Sequence, residues 1–154
     1  MRTITPEDVA GMLRDLSQRY PDFRLVAKAG ESRHCTTWQS TVFVPQDWST
    51  YTPLKQWVRL AHEATHLQQF HDMGTWRVAC RYLLASGRFQ LERDAFRAEM
   101  AAACETEGPE ALRGKRDFYL MTLSGGTYWY CVNAHDAALW VDTTILHICE
   151  GVSS

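Results

Sequence analysis

From Leu54 to about His71 the chain contains neither Gly nor Pro. The stretch is opened by Thr52-Pro53, a capping hydroxyl followed by a proline at the first helical position, and Gly74 is a plausible stop. This predicts a helix of about five turns. On a helical wheel Leu54, Trp57, Val58, Leu60, Ala61, Ala64 and Leu67 form one broad apolar arc. His62 and His66 fall off its edge, near Lys55, Arg59 and Gln69. Such a helix packs by one side and shows its histidines to a cleft. The five residues His62-Glu63-Ala64-Thr65-His66 read HExxH. Histidines four apart stand one above the other on a helical face, so both imidazoles can reach one metal ion, and the adjacent Glu63 is held near a water on that ion.

A second helix constrains the chain almost as strongly. Between Phe89 and Glu107 the wheel gathers Arg93, Asp94, Arg97 and Glu105 on one side, whereas Glu92 and Glu99 fall in the middle of the apolar side among Phe89, Leu91, Ala95, Phe96, Ala102 and Ala103. A carboxylate aimed at a core must be neutralised, paired with a cation or bound to a metal. A salt bridge to one of the thirteen Arg is the ordinary solution for each. The two carboxylates are seven residues apart, about 10 Å along the axis at about 1.5 Å per residue, so they cannot occupy equivalent places relative to one ion.

The rest of the chain reads as one α+β domain over residues 1–154. Thr5-Pro6-Glu7-Asp8 starts a helix that runs to about Arg19. Phe23 to Ala27 and Trp38 to Val44 are expected strands, rich in Val, Thr and aromatics, making a hairpin or a small antiparallel sheet before the HExxH helix. Thr75 to Ala85 is an expected helix and Ser86-Gly87-Arg88 a turn. A helix through Leu123, a turn at Ser124-Gly125-Gly126 and a last helix from about Ala134 to Cys149 complete the chain, with Thr127 to Val132 a helix or strand.

Composition removes several classes of function. At 154 residues with 45% hydrophobic side chains, a real core forms without staples. The net charge is −2 and the charges are interleaved, so no basic stripe marks a nucleic-acid partner. No run of eighteen apolar residues and no signal-peptide plan is present, which predicts no membrane partner and a cytoplasmic protein. Five widely spread cysteines, with no CxxC pair, point to reduced thiols and away from a Cys-based zinc site.

Taken with these motifs, the sequence resembles the zincin metallopeptidases, and within them the gluzincin-like group whose third zinc ligand is a Glu on a downstream helix. In that group the ligand often stands in an ExxA context. Here Glu92-Arg93-Asp94-Ala95 matches, 26 residues after His66. The stretch from Leu54 to Ala103 is also similar to small phage and bacterial metallopeptidase-like proteins, sharing a Gln-containing end to the motif helix, a Gly-x-Trp link, an Arg-Tyr-Leu helix and a Glu-rich third-ligand helix. LSGGTYWY, Leu123 to Tyr130, extends that likeness more loosely. Asp72 stands ten residues after His62, where other zincins place the third ligand, but Gln69 replaces the Gly that turns the chain back. The helix should run on and carry Asp72 off the histidine face.

The resemblance implies a mainly helical, zincin-like domain holding one Zn2+ on His62, His66 and Glu92, with Glu63 as general base and a peptide or protein as substrate. Glu99 would orient a ligand histidine or meet an Arg. Tyr128, Tyr130 and His135 are candidates to stabilise an oxyanion. The strand Thr41–Val44 stands where zincins carry the edge strand that pairs with extended substrate. The competing reading is a catalytically inactive zincin-like module that keeps the metal for a regulatory or interaction role.

Overall fold

The computed structural model describes residues 1–28, 34–126 and 131–151. It is a mainly helical α+β arrangement with a small three-stranded sheet. Helix α1 spans Pro6–Arg19, and its start is fixed by a reciprocal cap in which Thr5 Oγ1 accepts from the Asp8 amide while the Asp8 carboxylate accepts from the Thr5 amide. Val9 and Leu16 turn inward from it.

The strands are β1 (Arg24–Ala27), β2 (Thr36–Trp38) and β3 (Thr41–Val44), in the order β1-β3-β2. The sheet is mixed and not antiparallel throughout. β2 pairs antiparallel with β3, placing Thr37 opposite Val42, but β1 pairs parallel with β3, placing Leu25 opposite Val42. The stretch expected as one strand, Trp38 to Val44, reverses at Gln39-Ser40, where Gln39 adopts φ 53°. This tight reversal makes β3 the central strand and leaves β2 at the edge. Thr41–Val44 therefore belongs to ordinary sheet packing, with Val42 fully buried.

Helix α2 (Pro53–Met73) begins at the Thr52 cap and runs past Asp72 to Gly74, whose φ of 76° is a conformation that side-chain-bearing residues rarely adopt. Helix α3 (Thr75–Leu83) follows at once. Helix α4 begins earlier than the sequence suggests: it covers Ala85–Glu107, so Ser86, Gly87 and Arg88 form its first turn and Leu84 alone makes the break. Gly87 permits this. A Cβ there would lie 2.3 Å from the Arg81 carbonyl oxygen, so only a bare Cα lets the end of α3 lie against α4. Short helices α5 (Pro109–Gly114) and α6 (Arg116–Ser124) divide the segment expected as one helix, and α7 spans Ala134–Gly151.

Two apolar cores flank the pair α2 and α4. One joins α1, β3 and the α2 residues Leu60 and Leu67. The other joins Phe96, Met100 and Cys104 of α4 to Leu112, Tyr119, Leu123 and the inner face of α7. Between them α2 and α4 bury a polar seam: His62, Glu63, His66, Glu92 and Glu99 are each at most 6% exposed. The histidine face of α2 is thus a second buried face. Among the described residues no helix is long and apolar enough to cross a membrane.

Candidate metal centre

His62 and His66 project from successive turns of α2 toward α4, where Glu92 meets them. His62 Nε2 and His66 Nε2 lie 3.2 Å apart, and Glu92 Oε2 lies 3.5 Å from each. Three potential ligand atoms therefore converge on one buried point. An ion bound at about 2.0–2.1 Å by tetrahedrally disposed ligands spaces those ligands by about 3.3–3.4 Å, which is the spacing seen here. Glu92 Oε2 is buried and has no hydrogen-bond partner among the described residues. These residues are close enough to hold a metal ion.

The remaining polar atoms of His66 and Glu92 are hydrogen-bonded, and that of His62 faces a carboxylate. Gln69 Oε1 accepts from His66 Nδ1 at 2.9 Å, and Gln69 Nε2 donates to the Leu91 carbonyl at 2.9 Å, which orients the amide. With the amide so oriented, Gln69 holds His66 by Nδ1 and leaves Nε2 facing the centre. Glu99 Oε2 stands 3.1 Å from His62 Nδ1 and 3.6 Å from Arg59 Nη1, behind the ligand and not beside the ion position. The Tyr82 hydroxyl donates to Glu92 Oε1, and Phe96 presents its ring edgewise to His62 at 4.7 Å between centroids.

Electrostatics make the convergence one-sided. Burial alone would push the His62 imidazole down, but the close carboxylates of Glu92 and Glu99 outweigh it and raise its pKa to about 10. Burial likewise opposes ionisation of Glu92, yet contact with His62 and His66 holds its carboxyl well below the usual carboxylate range. The point where the three residues meet is built for positive charge, which a proton or a metal cation can supply.

A cleft of about 270 Å³ opens onto this point. Thr36 and Thr37 of β2 line it, as do Tyr82 and Arg88, together with the seam residues His62, Glu63, His66 and Glu92. Glu63 is buried, and its Oε2 accepts from Thr37 Oγ1 at 2.7 Å. Cys35 also lines the cleft, and burial, reinforced by the Glu63 charge, pushes its thiol up to about 12, so no thiolate is offered at neutral pH.

Asp72 is exposed on the continuing helix and accepts from Gln68 Nε2 at 2.6 Å. His71 is exposed and meets the ring of Tyr20. His135 is exposed in the first turn of α7 and does not line the cleft. Tyr128 and Tyr130 lie outside the described residues. The sequence reading missed Thr37, Gln69, Tyr82 and Arg88 as contributors. Gln69 had a usable signal, its place one turn beyond His66; the others come from segments whose approach to α2 no spacing announces. No family model, curated protein or solved structure matches the chain.

Proposed function

We propose that the protein is a zinc-dependent peptidase. The observation that carries this reading is the convergence of His62 Nε2, His66 Nε2 and Glu92 Oε2 at 3.2–3.5 Å, beside a buried Glu63 that faces the same cleft. Two imidazoles and one carboxylate are a donor set suited to Zn2+, and three protein ligands leave a tetrahedral position open, as catalytic zinc sites do. Zinc held there supplies Lewis acidity, which lowers the pKa of water toward neutrality and polarises a carbonyl.

The chain's own residues do the rest. Glu63 takes the proton of the attacking water on its carboxylate and delivers it to the leaving amine nitrogen, a transfer that needs a base adjacent to the metal and not on it. Thr37 holds one carboxylate oxygen and leaves the other for that proton. β2 stands at the edge of the described sheet and lines the cleft, where an extended peptide can add as a further strand.

The test uses protein purified without a histidine tag. About one zinc per chain is expected, with cleavage of a peptide library that a chelator abolishes and zinc restores. Stoichiometric zinc without turnover would support the inactive metal-binding module, and zinc well below one per chain would remove the metal reading.

A further inference from the structure

Arg88 is the one Lys or Arg that lines the cleft among the described residues, and neither the metal ligands nor the base account for it. It is 9% exposed, so its guanidinium has given up most of its water. It also stands in the first turn of α4, where the helix dipole disfavours a cation.

Position 88 is four residues before Glu92, so the two side chains share a face of α4. Tyr82 joins them: its hydroxyl donates to Glu92 Oε1, and its backbone carbonyl accepts from Arg88 Nη1 at 2.7 Å. The guanidinium is thereby held at a fixed place relative to the ligand carboxylate. Glu63 is tied to the β2 side of the cleft through Thr37. A base and a fixed cation therefore line the same cleft.

We infer that Arg88 is a catalytic residue, an inference that rests on the peptidase reading: its guanidinium donates to the oxygen of the scissile carbonyl as that oxygen becomes negative. Water's oxygen bonds to the carbonyl carbon while Glu63 takes one proton, and the carbon–oxygen π pair moves onto the oxygen facing Arg88. When that pair returns, the carbon–nitrogen bond breaks and Glu63 passes its proton to the nitrogen. The remaining hydroxyl proton leaves with the product acid. A donor already fixed where charge develops has no reorganisation to undergo at the moment of reaction, the property that makes such groups effective. This role falls to Arg88 and not to His135, which lies outside the cleft.

The experiment compares zinc-loaded parent, Arg88→Gln and Arg88→Lys. Zinc stoichiometry, kcat and KM on a fluorogenic peptide are measured, together with calorimetric binding of a phosphinate pseudopeptide, a tetrahedral anion, and of the matching uncleaved peptide on a Glu63→Gln background. Arg88→Gln should keep zinc, KM and peptide binding, while kcat falls about 10²- to 10³-fold and phosphinate affinity falls in parallel. Arg88→Lys should recover part of both, since it keeps the charge and loses the planar fork. If circular dichroism shows Arg88→Gln unfolded, Arg88→Lys carries the test, and phosphinate affinity equal to the parent's overturns the proposal. So does parental kcat and phosphinate affinity in a folded Arg88→Gln. A loss confined to KM, and only for peptides with a free C-terminal carboxylate, also overturns it by making Arg88 a carboxylate receptor. A zinc-loaded parent that neither cleaves peptide nor binds phosphinate instead removes the peptidase reading beneath it.

Discussion

Glu63 and Glu92 are both buried carboxylates facing the same cleft, and the proposed mechanism gives them separable roles. Glu63→Gln is expected to retain zinc, because Glu63 is held by Thr37 and lies outside the ligand triad, yet to lose about 10²- to 10⁴-fold in turnover. Metal analysis beside a peptide-cleavage assay checks this, and a Gln variant that bound no zinc would contradict it. Glu92→Ala should abolish zinc binding in a chelator competition, Tyr82→Phe should weaken it about 10- to 100-fold by releasing the other carboxylate oxygen, and the exposed Asp72→Ala should change little. Loss confined to Asp72→Ala would move the third ligand to the end of α2. His62 supplies the pH dependence. Its pKa in the metal-free fold is about 10, above the ordinary 6.5, so near neutrality the imidazolium must shed its proton before Nε2 can bind an ion. Zinc affinity should therefore rise with pH, by about tenfold per unit around neutrality for one released proton. Calorimetry in buffers of different ionisation enthalpy counts that proton, and an affinity flat with pH would contradict proton release from His62 on binding.

At the level of elements, the junction of α3 and α4 decides whether the cleft is complete. Gly87→Ala would set a methyl against the backbone of Arg81, and a backbone carbonyl cannot swing aside as a side chain can. The helix-propensity gain of Ala, about 1 kcal/mol, should lose to an overpacking cost of about 1–3 kcal/mol, and the displaced α3 should carry Tyr82 off Glu92. A lower urea midpoint together with weaker zinc binding is the expected result, and parental values for both would mean the helices separate freely there. The same junction shows what local pattern can convey. The wheel found Glu92 and Glu99 on the inner face of α4 because helical periodicity reports direction, and it placed them at different depths because axial rise reports distance. It could not find Tyr82 or Arg88, since Ser86-Gly87 has the composition of a turn and becomes helix only because α3 lies against it. The sheet failed in the same way. Val, Thr and aromatics marked the strands, but parallel or antiparallel pairing depends on the path of the chain and not on composition. Helix starts were legible throughout the first half because Thr5 and Thr52 cap through contacts three residues away.

Across the whole molecule, the candidate metal centre lies where two apolar cores meet, with His62 and His66 drawn from the helix of one and Glu92 from the helix of the other. An ion there ties the two parts, and ligand-linked stabilisation follows. Zinc at a hundred times its Kd should add about 2.7 kcal/mol, raising Tm by roughly 5–10 °C for a chain of this size. Calorimetric scans with zinc and with excess chelator measure the difference, and coincident scans would mean that folding and metal binding are uncoupled. The placement also bears on how the protein is made. A chain grows from its N-terminus, so α1, the sheet and α2 can gather around their own core while α4 is still being synthesised. At that stage His62 and His66 offer a passing ion two ligands where the finished site offers three. Glu92, the Tyr82 hydroxyl that steadies it and the Glu99 carboxylate behind His62 all arrive later in the chain. On the proposed reading, metal binding waits until α4 docks, and a nascent chain interrupted before that point is expected to hold an ion only weakly.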